Sequence, residues 1–313
     1  MPIIAQMRPD IIPMSWDGFC AQMPARSIAL DGFVDAPPAL DAVRLYRNFD
    51  HHRGPPRSDM LCTAMQVLEA VRTGLLDLFM PTGDEDVLVW MNDCDPDVGL
   101  SLYALEYHWI VRGRVNPAIH RLFGHVQDMD KMSGLLDVPR DMPIVRQAAF
   151  IFQPYWQYRT SGALDQKNAL AHMGVLRDVT HRINEFVAGR PRELAIDDRY
   201  DELGGGADWR MVRELGPHAR MKMARRGVRA FVAARQKTDG RWVYTVCRQS
   251  PYVFWFPVPE ICAHLNREEA DSDQFGGGDV VFGNARGNGS VRSPEQITTT
   301  INAFLQDHNL RAP

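Results

Sequence analysis

Three short runs in this chain each stop on an aspartate: the apolar "SIALD" at Asp31, "LYRNFD" at Asp50, which could end a strand, and the apolar "DVLVWMND" at Asp93. The last is continuous and of strand length. It breaks at "DCDPD" and passes into "GLSLYALEYHWIV", whose apolar residues recur at helical spacing. "DMLCTAMQVLEAVRTGLL" has the same helical spacing, with Ser58 or Asp59 placed to cap it. Strand, polar loop, helix, repeated, is the pattern of an α/β fold: a mainly parallel sheet flanked by helices. Ligands of such sheets collect where strands end and helices begin.

Residues 139–190 read as helical, with "ALAHMGVLRDVTHRINEFVAG" the clearest amphipathic stretch and Gly189 its stop. The segment from Arg190 to Arg210 has poor periodicity and three consecutive glycines, which predicts a linker or exposed loop. Beyond it, "GVRAFVAAR" and "RWVYTVCRQS" alternate like strands around a turn at Asp239-Gly240. "PEICAHLNREE" and the capped "SPEQITTTINAFLQDH" read as helices. The expectation is a first domain over 1–200 and a second, smaller α+β domain over 216–313.

With 35 basic and 39 acidic residues the net charge is −4, which lacks the basic surplus of proteins that grip long nucleic acid. Small partners fit better. The five cysteines are scattered without a CxxC pair, which points to a reducing compartment and away from a structural zinc site. No run approaches the length of a membrane span and no basic-then-apolar leader opens the chain, so the expectation is a soluble, cytoplasmic protein that contacts no membrane.

Four segments concentrate Asp and His: Asp31 and Asp35; Asp50, His51 and His52; Asp93, Asp95 and Asp97; and His125, Asp128 and Asp130. Crowded carboxylates repel one another unless a cation sits among them. Alone, each group is as well explained by a solvated polar turn. Adjacent histidines in an extended segment face opposite sides, so His51 and His52 would divide between a metal and a substrate. Carboxylate and imidazole donors suit Mn²⁺, Mg²⁺ or Fe²⁺, and a one- or two-ion site of this kind suits phosphoester hydrolysis. "QFGGGDVVFGNARGNGSV" adds a glycine-rich stretch whose Gly276, Gly277 and Gly278 let backbone approach a ligand, with Arg286 able to grip phosphate. A flexible loop is the equally weighted reading of that stretch.

These stretches resemble the DHH phosphoesterase superfamily. "FDHHRG" (Phe49 to Gly54) is similar to its namesake motif, "LDGFVDAP" to the acidic motif before it, and "DCDPDVGLSLYAL" to its opening loop and helix. The glycine-rich segment is similar to the substrate-binding motif of the small C-terminal domain that often accompanies it, with Asp279 where the family has histidine. The opening loop here follows the namesake motif, and Asn92 or Asp93 stands where the family has histidine, so the chain is either permuted or has lost its first motif. The resemblance implies a metal-dependent phosphoesterase for a small nucleotide, cyclic dinucleotide or short oligonucleotide, using one or two Mn²⁺ or Mg²⁺ ions and compatible with a homodimer. It implies His51, Asp31, Asp93, Asp95, Asp97 and Asp128 as metal ligands, with Asp35 second to Asp31 and Asp130 an alternative to Asp128. His52 and Asp50 become the catalytic pair, and Gly276, Gly277, Gly278, Arg286 and Arg53 the substrate contacts. The rival readings are a nucleotide-binding regulatory module of the same fold without turnover, and a metal hydrolase for another ester. A shared centre requires His51 to lie within about 10 Å of a carboxylate in the 93–97 loop.

Overall fold

The computed structural model describes residues 3–113, 115–268, 274–284 and 289–312. The chain forms two units, the first from 1–55, 59–127 and 140–195, the second from 56–58, 128–139 and 196–313. Both are α/β, and each carries a mixed sheet.

In the first unit, β1 (Ile3–Met7), β2 (Ser27–Leu30), β3 (Ala39–Asp41), β4 (Tyr46–Phe49) and β5 (Val87–Met91) form one sheet in the order β1-β5-β2-β4-β3. Pairs β1–β5, β5–β2 and β2–β4 are parallel, and β3 closes the edge antiparallel to β4. Alternation along the strands serves two apolar layers. Ile28, Leu30, Phe49, Val89 and Met91 pack with Val67, Leu68 and Val71 of the helix Thr63–Arg72. Ala29 and Tyr46 face the other way, onto Phe19 and Phe33. A strand covered on both faces has no polar side to show, which is why β2 is buried throughout. The helix Ala169–Val187 adds Val175, Leu176, Val179 and Ile183 to the larger layer and stops before Gly189, at φ +78°.

The second unit holds β6 (Tyr200–Gly205), β7 (Arg210–Glu214), β8 (Ala230–Gln236), β9 (Trp242–Arg248), β10 (Phe275–Gly277) and β11 (Val281–Asn284), in the order β10-β11-β9-β8-β7-β6. Only β7–β8 is parallel among these pairings. Val232, Ala234, Tyr244 and Val246 pack against Ile261 and Leu265 of the helix Val258–Glu268 and Ile297 and Ile301 of the helix Pro294–Asp307. Ser293 and Gln296 close a reciprocal capping box on that last helix.

Two local expectations change. The predicted linker contains β6 and the start of β7, paired from Tyr200–Glu214 to Gly205–Arg210. β6 is an edge strand with no buried residue, so it lacks the apolar alternation that marks a strand in sequence. His125, Asp128 and Asp130 lie on the helix Pro117–Lys131 and not in a polar turn; Ile119, Leu122, Phe123 and Val126 supply its buried stripe.

The glycine run serves the β10–β11 hairpin directly. Gly277 has φ +155°, and a Cβ there would stand 2.2 Å from the Val281 carbonyl oxygen and 2.9 Å from Phe282 Cα. Backbone atoms cannot yield as a flexible side chain would. Gly277→Ala is therefore expected to lower stability by about 2 kcal/mol or more, read as a reduced denaturation midpoint.

Candidate metal centre

β5, β2 and β4 are neighbours running in one direction, so their C-terminal ends open on the same edge of the sheet. Asp31 follows β2, Asp50-His51-His52 follow β4, and the 92–95 loop follows β5 and leads into the helix Pro96–Glu106, whose first turn carries Asp97 where the sequence reading had a loop. Asp31 leaves the strand at φ +47° and Gly32 continues the turn at φ +75°. Aspartate is one of the few side chains enriched in that left-handed region.

Asp50 is fully buried, at 0% exposure. Its Oδ1 accepts the His51 backbone N–H at 2.8 Å and the His52 backbone N–H at 3.1 Å, and meets His52 Nδ1 at 2.7 Å. Its Oδ2 is buried with no hydrogen-bond partner. Wrapping the backbone around this carboxylate bends the chain, and the bend overturns the expectation that the two histidines face opposite sides. The imidazoles meet edge to face, with centroids 4.5 Å apart and planes at 86°. Both reach Asp31 Oδ1, His51 through Nε2 at 3.2 Å and His52 through Nδ1 at 3.7 Å. Gln66 Nε2 holds the Asp50 carbonyl oxygen at 2.8 Å.

Asp97 comes to the same place from the β5 side. Its Oδ2 lies 3.9 Å from His51 Nε2, far inside the limit of about 10 Å that a shared centre sets. Asp97 also has a structural task that the sequence assigned to Ser58 or Asp59. Thr63 N–H donates to Oδ2 and Ala64 N–H to Oδ1, each at 2.8 Å, so Asp97 caps the helix Thr63–Arg72 from another element. The helix's own N-cap, Cys62, makes no side-chain cap bond, and Arg57–Asp59 form a separate short turn of helix. Thr63 Oγ1 completes the group by donating to Asp31 Oδ1 at 2.9 Å.

Asp95 caps its own helix, Pro96–Glu106, accepting from Val98 N–H at 2.9 Å with Pro96 at the first helical position. Burial pushes the Asp95 carboxyl well above the usual carboxylate range, and the negative charges of Asp31, Asp93 and Asp97 push the same way. Asp31 moves in the opposite direction. Burial opposes its ionisation, but His52, His51 and the Thr63 hydroxyl outweigh it and hold the carboxyl well below its ordinary value. An ionised carboxylate beside two imidazoles, a neighbouring acid crowded by like charges and an Asp50 oxygen without a hydrogen-bond partner form a donor set that fits a divalent cation. Donors sharing an ion at about 2.1 Å stand about 3 Å apart, close to the His51–Asp31 spacing.

The remaining expected residues have the following surroundings. Asp93 comes within ligand spacing of Cys94 and His172, a group that sequence reasoning missed. Asp128 is exposed on its helix, and Asp130 pairs with Arg57 Nη2 at 2.5 Å in the second unit. Asp35 is an exposed partner of Arg53, with Arg53 Nε 2.5 Å from its Oδ1, so a bridging role falls to Asp31 alone. Gly276 and Gly277 lie in β10, and Gly278 N–H donates to the Val281 carbonyl at 3.0 Å to close the hairpin turn. Asp279 Oδ2 accepts the Arg57 N–H at 3.3 Å. Arg286 lies outside the described residues. Thr63 and Gln66 were also missed, for they reach Asp31 and Asp50 only once the helix Thr63–Arg72 has docked.

No protein-family model matches the chain, and searches among curated proteins and among solved structures gave no match. Among the described residues, no helix is long and apolar enough to cross a membrane.

Proposed function

We propose that this protein is a metal-dependent phosphoesterase of the DHH type, acting on a small nucleotide, cyclic dinucleotide or short oligonucleotide. The observation that carries the reading is the meeting of Asp31, His51 and Asp97 at the ends of three adjacent parallel strands, with His52 fixed beside them by Asp50. Asp31, His51 and Asp97 would hold a divalent ion such as Mn²⁺ or Mg²⁺, with Asp95 next in reach. When bound, that ion supplies positive charge that activates water and offsets charge on phosphoryl oxygens.

The chain's own residues do the rest. Asp50 accepts Nδ1–H of His52 and so fixes its tautomer, as carboxylates do for working imidazoles. As the imidazolium, with Asp50 keeping Nδ1–H, His52 would pass its Nε2 proton to the leaving oxygen from a side chain 31% exposed. Asp50 is thus a positioning residue, and His52 the group that meets substrate. The −4 net charge supports small substrates over long strands.

A second reading keeps the fold and removes turnover: a nucleotide-binding regulatory module. Asp279 favours it, since a carboxylate stands where the family's substrate-binding motif has histidine, and it is already engaged with the Arg57 N–H. A panel of nucleotides and short oligonucleotides with Mn²⁺, Mg²⁺ or Co²⁺, read as released phosphate or mononucleotide, separates the two. The phosphoesterase reading expects metal-dependent product and, in His52→Asn, a kcat loss of about 100-fold or more with a smaller change in KM. Tight nucleotide binding without product, unchanged in His52→Ala, would establish the module instead.

A further inference from the structure

The first unit contains a second group of metal donors whose chemistry differs from that of the Asp/His centre. Asp93 and Cys94 follow β5, and His172 lies in the first turn of the helix Ala169–Val187. One donor atom from each comes within 4.8 Å of the others. Cys94 is 1% exposed and His172 2% exposed, so two of the three are enclosed by protein, which surface acidic clusters are not.

Each side chain is held by its own loop or helix. Asp93 Oδ1 accepts the Cys94 N–H at 2.7 Å, which curls the loop and sets carboxylate and thiol side by side. His172 Nδ1 stands 2.8 Å from the Asn168 carbonyl oxygen. A carbonyl can only accept, so ligation through Nε2 would leave Nδ1–H donating to Asn168, the kind of second partner that ligating histidines keep. Tyr158 Oη, 3.1 Å from the same nitrogen, packs the ring from a third element.

From these contacts we infer that Asp93, Cys94 and His172 form a binding site for a borderline-soft divalent cation, Zn²⁺ being the best match, separate from the Asp31–His51–Asp97 centre. Thiolate, imidazole and carboxylate together select Zn²⁺ over Mg²⁺ or Mn²⁺, which take oxygen-rich shells. Small side-chain adjustments bring the three donors to the spacing of about 3.5 Å found in a tetrahedral shell. On binding, the Cys94 thiol gives its proton to solvent and the sulfur takes the ion. The ion then ties the 92–95 loop, which carries Asp95 and leads into the helix that holds Asp97, to the helix Ala169–Val187. The site is independent of the phosphoesterase reading, because it needs no substrate and no turnover.

The test is Co²⁺ added to the chelator-stripped full-length protein, followed by absorption spectroscopy, since only thiolate ligation gives a sulfur-to-cobalt charge-transfer band. The expected result is a band that saturates at one equivalent, is displaced by Zn²⁺, disappears in Cys94→Ser and needs at least tenfold more Co²⁺ in His172→Gln. His51→Ala is expected to retain it. Circular dichroism of each stripped variant checks the fold, and if Cys94→Ser is unfolded, His172→Gln decides. No band in the wild-type protein, a band surviving Cys94→Ser in folded protein, or a wild-type affinity in His172→Gln would overturn the site. Loss of the band in His51→Ala would overturn its separateness by merging the two groups into one centre. None of these readouts involves catalysis, so each outcome stands apart from the success or failure of the nucleotide panel.

Discussion

On the proposed phosphoesterase reading, His51→Ala is expected to lower Mn²⁺-dependent turnover by about 1000-fold in a protein that still folds. A bound cation contributes several kcal/mol of charge stabilisation to phosphoryl transfer, and each tenfold in rate corresponds to about 1.36 kcal/mol. His51 Nε2 sits 3.2 Å from Asp31 Oδ1 and 3.9 Å from Asp97 Oδ2, so it is the donor that joins the β2 and β5 sides of the centre. Without it, the two carboxylates face each other across a gap and hold an ion poorly. Stability should fall by no more than about 2 kcal/mol, because Asp31 keeps the Thr63 hydroxyl at 2.9 Å and His52 Nδ1 at 3.7 Å. Steady-state rates across a Mn²⁺ titration, beside a denaturation curve, check both halves. Wild-type turnover at saturating Mn²⁺ would remove His51 from the metal shell.

What made this part of the site legible is that its residues lie next to strand ends. Asp31 and Asp50 directly follow strands and Asp97 opens the helix after another, and parallel strands bring such positions to one edge whatever the rest of the chain does. Residues delivered by tertiary packing left no such mark. Cys94 and His172 meet only because the helix Ala169–Val187 packs on the first sheet's layer, and no local spacing records that. Asp128 is exposed on a helix that Ile119, Leu122, Phe123 and Val126 already mark in the sequence by their spacing. β6 went unseen for the opposite reason: an edge strand buries little and so has little pattern to read. Strand alternation does not govern how His51 and His52 face, because they lie just past a strand, in a bend set by Asp50.

Asp97→Ala is expected to lower stability by about 3 kcal/mol and abolish turnover together. The stability loss follows from the cap. Thr63 N–H and Ala64 N–H both lose a charged acceptor at 2.8 Å, inside a buried helix end, and an unmet buried donor costs about 1–3 kcal/mol. A double loss of this kind does not by itself reveal whether Asp97 also serves the metal, and Asp97→Asn does. The amide keeps one oxygen to accept a helix N–H but has neither the charge nor the second acceptor of a carboxylate. A purely structural Asp97 predicts that the asparagine variant recovers stability and activity in step. A residue shared between cap and cation, as its 3.9 Å approach to His51 Nε2 supports, predicts recovered stability with turnover still down at least about 100-fold and a higher Mn²⁺ requirement. Urea midpoints and Mn²⁺-dependence curves measured on both variants separate these outcomes. Full activity in a stable Asp97→Asn protein would confine Asp97 to its helix and leave Asp31 and His51 to hold the ion.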